Sequence, residues 1–124
     1  MSAATAGVNF EKLFASIDAM DTESFLGFIA DDCTFRFGAS APVTGREGIR
    51  ASVNDFFSMF AGLRHELHRV VADHNGIVCE GEVTYTHHDG RSVTVPFCNV
   101  FKAEAGLISL YRIYIDMGPV FAAA

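Results

Sequence analysis

The residues best able to move protons cluster in one stretch of the chain: Glu66 and His68, followed by Glu80 and Glu82, all set among apolar and β-branched neighbours. A carboxylate surrounded by Phe and Ile is pushed toward its neutral form by desolvation, and a neighbouring imidazole can share its proton. His68 with Glu66 or Glu82 therefore has the makings of a general acid/base pair. Thr84, Asn99 and Tyr111 add hydrogen-bonding groups further along. His65-Glu-Leu-His68 nearly spells the zinc-protease motif, but that motif needs His residues four apart on a helix. Here they are three apart in a segment that reads as strand, which sends the two rings to opposite sides, so no metal is expected. His87-His88-Asp89 borders a turn and reads as a solvated loop. The chain has no GxSxG elbow, GxxxxGKS loop or GxGxxG turn. Serine-hydrolase, nucleotide and dinucleotide chemistry thus lack their mechanical parts, and no organic cofactor is expected.

Helices and strands must hold these groups in place. Asn9 can cap a helix in which Phe10, Leu13, Phe14 and Ile17 recur at i, i+3, i+4 and i+7, forming one apolar stripe. Asp21 can cap a second helix, with Phe25, Leu26 and Ile29 inward and Asp31-Asp32 at its end. Residues 33–37 alternate as a first strand. Residues 38–45 carry Gly, Ser and Pro and read as a loop, after which Thr44-Gly-Arg-Glu47 has the spacing of a capping box. A third helix follows, with Ile49, Val53, Phe56, Phe57 and Phe60 on one side. Four strands complete the chain over 63–72, 77–87, 92–102 and 107–116, separated by Gly-containing turns at 73–76, 88–90 and 104–106. The expected fold is α+β, in the order ααβαββββ, with helices against an antiparallel sheet.

At 124 residues the chain makes one domain, long enough to remove roughly two-thirds of its unfolded surface from water. Half the residues are apolar and twelve are Phe, yet no apolar run approaches the ~18 residues that would span a bilayer. Residues 1–7 show neither a basic nor an apolar leader region, so a cytoplasmic location is expected. Cys33, Cys79 and Cys98 are odd in number, lack CxxC spacing and lie in segments that read as strand, which argues for reduced, small apolar residues. With a net charge of −6 and nine scattered Lys and Arg residues, nucleic acid is excluded as a partner. The last strand is apolar on both faces, with Leu107, Tyr111, Ile113 and Ile115 on one and Ile108, Leu110 and Tyr114 on the other. Three helices can cover only one side of the sheet. The outer face must meet either a second copy, giving a homodimer, or the tail at 117–121.

The element order resembles the SnoaL-like branch of the nuclear transport factor 2-like superfamily. So do Ala30-Asp-Asp-Cys-Thr-Phe35, Gly45-Arg-Glu-Gly-Ile49 and the close Tyr111-Arg-Ile-Tyr-Ile-Asp116. The likeness runs from about residue 10 to 119. It implies a cone-shaped α+β barrel, a fold that hosts isomerases, dehydratases, cyclases, epoxide hydrolases and inactive binders alike. Where ketosteroid isomerase carries a Tyr, an Asp base and a second Asp, the matching positions here hold Leu13, Phe37 and Asn99. Proton abstraction by a first-strand carboxylate is thereby excluded, while Asn99 could still donate to a developing oxyanion. At the positions of the water-activating set of limonene epoxide hydrolase stand Phe35, Phe37, Glu82, Thr84 and Ile113, so that activity does not carry over either.

The same matching implies which residues surround a pocket for a small apolar molecule. They are Leu13 and Ile17 from the first helix, Phe35 and Phe37, Glu66 and His68, Glu80, Glu82 and Thr84, Val95, Phe97, Asn99 and Phe101, then Tyr111, Ile113 and Ile115. Spacing fixes the two-residue period within each strand but not the phase between strands. A three-residue turn at Asp73-His-Asn75 with Gly76 in a bulge sets Glu66 and His68 on the face of Glu80 and Glu82; a two-residue turn opposes them. Two functions follow. One is a cofactor-independent isomerase, dehydratase or cyclase using His68 and Glu82; the other is a ligand-binding or dimeric module without chemistry. An open cavity of about 300 Å³ or more reaching His68 or Glu82 favours the first. A core closed by Phe35, Phe37, Phe97 and Phe101 favours the second.

Overall fold

The computed structural model describes residues 5–122; of the terminal segments discussed above, 1–4 and 123–124 lie outside the described residues. The elements are α1 (Phe10–Asp18), α2 (Thr22–Leu26), β1 (Ile29–Phe37), β2 (Val43–Thr44), α3 (Arg46–Ser58), β3 (Gly62–Asp73), β4 (Gly76–Thr86), β5 (Ser92–Glu104), β6 (Leu107–Ile115) and α4 (Gly118–Phe121). The strands form one curved, open sheet in the order β2-β1-β6-β5-β4-β3.

Asn9 and Asp21 cap α1 and α2 as expected, each side chain accepting a backbone N–H three residues on. Phe10, Leu13 and Phe14 are buried from α1, Phe25 and Leu26 from α2, and Ile49, Val53 and Phe57 from α3. All pack on the concave face of the sheet in a single core. Thr22 hydrogen-bonds Asn54, and Arg50 bridges Glu23 and Glu47, tying α2 to α3.

Four local expectations are corrected. The first strand begins at Ile29, not residue 33, because Ile29 pairs with Ile108 and the register then shifts before Thr34 meets Leu110. Asp31 and Asp32 sit exposed in that irregular stretch. The β1–β6 ladder is parallel, so the sheet is mixed and not wholly antiparallel. The capping box does not form: Thr44 is drawn into pairing with Thr34 in β1, and Gly45, at φ 93°, takes the N-cap position without a side-chain bond. Lastly, the tail does not cover the outer face. It forms the short α4, burying Val120 and stacking Phe121 on Phe60 at the inner, helix-side end of the core. Val71, Val78 and Val100 remain in one cross-strand row on the convex side, with Tyr114 nearby and 54% exposed.

No helix among the described residues is long and apolar enough to cross a membrane.

Candidate active site in the cone

The phase between strands decides which groups enter the hollow, and two turns and one bulge set it. His87 N–H bonds to the Arg91 carbonyl across the β4–β5 turn, so odd-numbered residues pair with odd: Val83 with Val95, Gly81 with Phe97, Cys79 with Asn99. Since Phe97 and Asn99 face inward, so do Val83 and Tyr85, while Glu80, Glu82 and Thr84 face outward. The β3–β4 turn has two residues, His74-Asn75, and would by itself oppose the faces. A β-bulge between Leu67 and Arg69 then adds one residue and restores parity, placing Glu66 directly opposite Glu82. Gly81 accommodates this close crossing; a Cβ there would lie 1.9 Å from the Glu66 carbonyl oxygen.

The expected inward placement of Glu66, His68, Glu80, Glu82 and Thr84 is therefore corrected. His68 does meet both carboxylates, at 3.4 Å from Glu66 and 3.8 Å from Glu82, but on the outer face in water. Glu80 pairs there with Arg69, and Thr84 with Thr94. The imidazole that enters the cone is His65.

A cavity of about 250 Å³ lies between the helices and the sheet. Its walls include Ile17, Phe25, Phe35, Phe37, Val83, Tyr85, Phe97, Asn99, Tyr111, Ile113 and Ile115. Ser40, Ala41, Asp55 and Met59, all exposed, stand at its mouth. Leu13 and Val95 also point inward, but into the packed core and not onto the cavity wall. Phe101 packs against Phe10 and Tyr111. The hollow is smaller than 300 Å³ and reaches neither His68 nor Glu82, yet aromatic rings do not fill it. A separate shallow groove beside His68 lies outside the cone, between β3 and the segment that precedes α1.

His65 lines the cavity with its ring held between Phe14 and Phe97, at centroid distances of 4.9 and 5.2 Å. Its Nδ1 lies 2.6 Å from Asp18 Oδ1, and its backbone N–H donates to both Asp18 oxygens. A carboxylate on Nδ1 keeps the proton on that atom, which leaves Nε2 to exchange a proton with a ligand. Asp18 is the last residue of α1. A negative charge at that end opposes the helix dipole, which marks it as serving something other than the helix. Burial pushes the Tyr85 and Tyr111 phenols upward, so both remain neutral hydrogen-bonding groups. It also pushes the Cys33 and Cys79 thiols up to about 12, which leaves them unreactive. Among the described residues no group of three or more His, Cys, Asp or Glu side chains is placed to hold a metal ion.

Asp18, His65, Val83 and Tyr85 were missed from the sequence. The signals were there: an acidic residue closing the apolar stripe of α1, and a three-residue turn at 88–90 that pairs odd with odd. Inward positions of β4 hold neither Arg nor Asp, so the corrected phase still leaves no epoxide-hydrolase set.

The chain matches the SnoaL-like domain over residues 10–111 and belongs to that family. No curated protein matches it in sequence. Among solved structures, a nuclear transport factor 2-like protein of unknown function from Burkholderia pseudomallei is 18% identical, with a TM-score of 0.84 over 98% of this chain and 100% of that one. A protein with a ketosteroid isomerase-like fold from Catenulispora acidiphila is 15% identical, with a TM-score of 0.82 over 90% and 87%. An epoxide hydrolase of the limonene type from Mycobacterium tuberculosis is 20% identical, with a TM-score of 0.76 over 90% and 83%. These likenesses establish the fold and leave the chemistry to the site.

Proposed function

We propose that the protein is a cofactor-independent isomerase, dehydratase or cyclase that moves a proton on a small apolar compound, with His65 and Asp18 as its working pair. One observation carries this: an imidazole bonded to a carboxylate at 2.6 Å in the wall of an otherwise apolar cavity. In this role His65 Nε2 takes a proton from a carbon beside a carbonyl, and Asp18 orients the ring and stabilises the imidazolium that forms. The proton returns to a different carbon in an isomerisation, or to a departing hydroxyl in a dehydration. His68 and Glu82, on the outer face, have no part in it.

Solvent-deuterium incorporation into a panel of hydroxylated one- and two-ring ketones, such as 6-hydroxy-1-tetralone and 6-hydroxy-4-chromanone, tests the proposal by mass spectrometry. Incorporation by wild type that is lost in His65→Ala and in Asp18→Asn, but kept in His68→Ala, supports it. An inert wild type returns the chain to the binding module that the fold also hosts.

The proposed partner of the outer face is a second copy of the chain. The row of Val71, Val78 and Val100, with Tyr114 beside it, offers the apolar centre that a two-fold contact needs. Sedimentation should give a dimer that Val78→Lys with Tyr114→Lys splits into monomers; a wild-type monomer defeats it.

A further inference from the structure

Asn99 is the anomaly of the cavity wall. It sits in β5 between Cys79 and Ile113 on the neighbouring strands, at 2% exposure, in the middle of the inner face. Its Oδ1 is buried and accepts no hydrogen bond among the described residues. Buried polar groups are almost always paired, because leaving one unpaired forfeits its hydration without return. The neighbours that could have satisfied it do not: Cys79 and the inward aromatic side chains make no bond to it. An apolar side chain would fill this place in a mere core. A donor brought by something bound in the cavity would satisfy the amide.

The charges around the hollow narrow that something further. Among the described residues no Lys or Arg stands on the cavity wall. Besides the Tyr85 and Tyr111 phenols, which burial keeps neutral, the ionisable groups at hand are His65, the Asp18 carboxylate bonded to it and Asp55 at the mouth. A carboxylate or phosphate entering here would lose its water, find no countercharge and face two acidic side chains. The remaining wall is aromatic and aliphatic. A volume of about 250 Å³ lies just under the ~300–1,000 Å³ of pockets for drug-sized ligands, which suits one or two rings and little more.

We infer that Asn99 is a specificity-determining residue, its Oδ1 accepting a hydrogen bond from the ligand, and that the site selects neutral one- or two-ring molecules bearing an O–H or N–H donor. This rests on the cavity being a ligand site, as the proposed function does, but not on His65 doing chemistry. A site built to bond a hydroxyl rejects the analogue that lacks it far more sharply than an apolar pocket rejects an extra group, since its own polar atom is then left unpaired.

Three probes separate the possibilities on the full chain by calorimetry. They are 2-naphthol, 2-fluoronaphthalene, which has nearly the same shape but no donor, and 2-naphthoate, which has the charge. Wild type should bind 2-naphthol at least about tenfold more tightly than 2-fluoronaphthalene and should not bind 2-naphthoate. In Asn99→Leu, which keeps the size and removes the unpaired amide, the two neutral probes should bind within about threefold of each other while the protein still melts cooperatively. If Asn99→Leu fails to fold, Asn99→Asp takes its place, and the carboxylate should keep the naphthol preference. Equal binding of the neutral probes by wild type, a preference that survives in Asn99→Leu, tight binding of 2-naphthoate, or binding of none of the three overturns the inference. An Asn99-dependent preference in a protein that exchanges no deuterium would sink the acid/base proposal and leave this one standing, and the reverse pattern would do the opposite.

Discussion

His65 and His68 lie three residues apart in one strand, and each has a carboxylate within reach, yet the two faces of the sheet make different things of them. On the inner face the pair is tight, at 2.6 Å, with His65 only 11% and Asp18 26% exposed at the side chain. On the outer face the contacts are 3.4 and 3.8 Å, and His68, Glu66 and Glu82 are all about half exposed or more. Water and salt screen the outer cluster, so it holds no fixed geometry and little energy. The inner pair is shielded, oriented by rings on two sides and open toward an apolar hollow. Residue types do not distinguish the two sites; the bulge between Leu67 and Arg69 does. A regular ladder continued from the two-residue turn would instead turn His65 to water and His68 to the cavity.

The most drastic way to break the comparison is at Gly81. A methyl group there would sit 1.9 Å from the Glu66 carbonyl oxygen, and both partners are backbone, so no side chain can swing aside. Gly81→Ala should cost about 4 kcal/mol or more out of a total stability of roughly 5–15 kcal/mol. Urea unfolding checks this; a variant within 1 kcal/mol of wild type would mean that the bulge does not set the phase. Next in size are the inner-pair substitutions. Any turnover found should fall ~10²–10⁴-fold in His65→Ala, and Asp18→Asn should lower kcat more than KM. His68→Ala and Glu82→Gln should leave both constants within about twofold; equal losses on the two faces would erase the distinction drawn here.

The fold was legible because its signals are local and redundant. The α1 stripe, the Asn9 and Asp21 caps and the three Gly-containing turns each pointed the same way. The site was not, because its address depends on a single residue of register. Two strands that alternate perfectly leave their relative phase open, and family matching filled the gap one residue out of step on β3 and β4. On β1, β5 and β6 the same matching placed Phe35, Phe37, Phe97, Asn99, Tyr111 and Ile113 where they stand. The bulge carries no composition signal, since its residues, Leu67 to Arg69, look like any other part of the strand.

Titration separates the two faces as well. The inner face holds Tyr85 and Tyr111, whose phenols burial raises above the ordinary value of 10, and Cys33 and Cys79, raised from 9 to about 12. A group whose value is higher folded than unfolded contributes stability that is whole below its unfolded value and is lost as pH rises through the folded one. Stability should therefore hold up to about pH 9 and decline steadily above it. Tyr85→Phe should flatten the decline above pH 10. Denaturation midpoints that stay level to pH 11 would contradict the burial of these groups.

The smallest effect belongs to the outer face, and it has the opposite sign from the others. Glu66 and Glu82 are directly opposed across β3 and β4, like charges in register, with His68 nearby. Such a pair works against the ladder, and one opposite-charge substitution turns the repulsion into attraction. Glu82→Lys should thus stabilise the fold by ~0.2–1 kcal/mol at low salt, with the gain shrinking as ionic strength rises. The 2-naphthol affinity should be unchanged, since the substituted side chain lies across the sheet from the cavity. A gain in stability that came with a loss of ligand binding would show that the two faces communicate, and would replace a division of labour between them with a coupling.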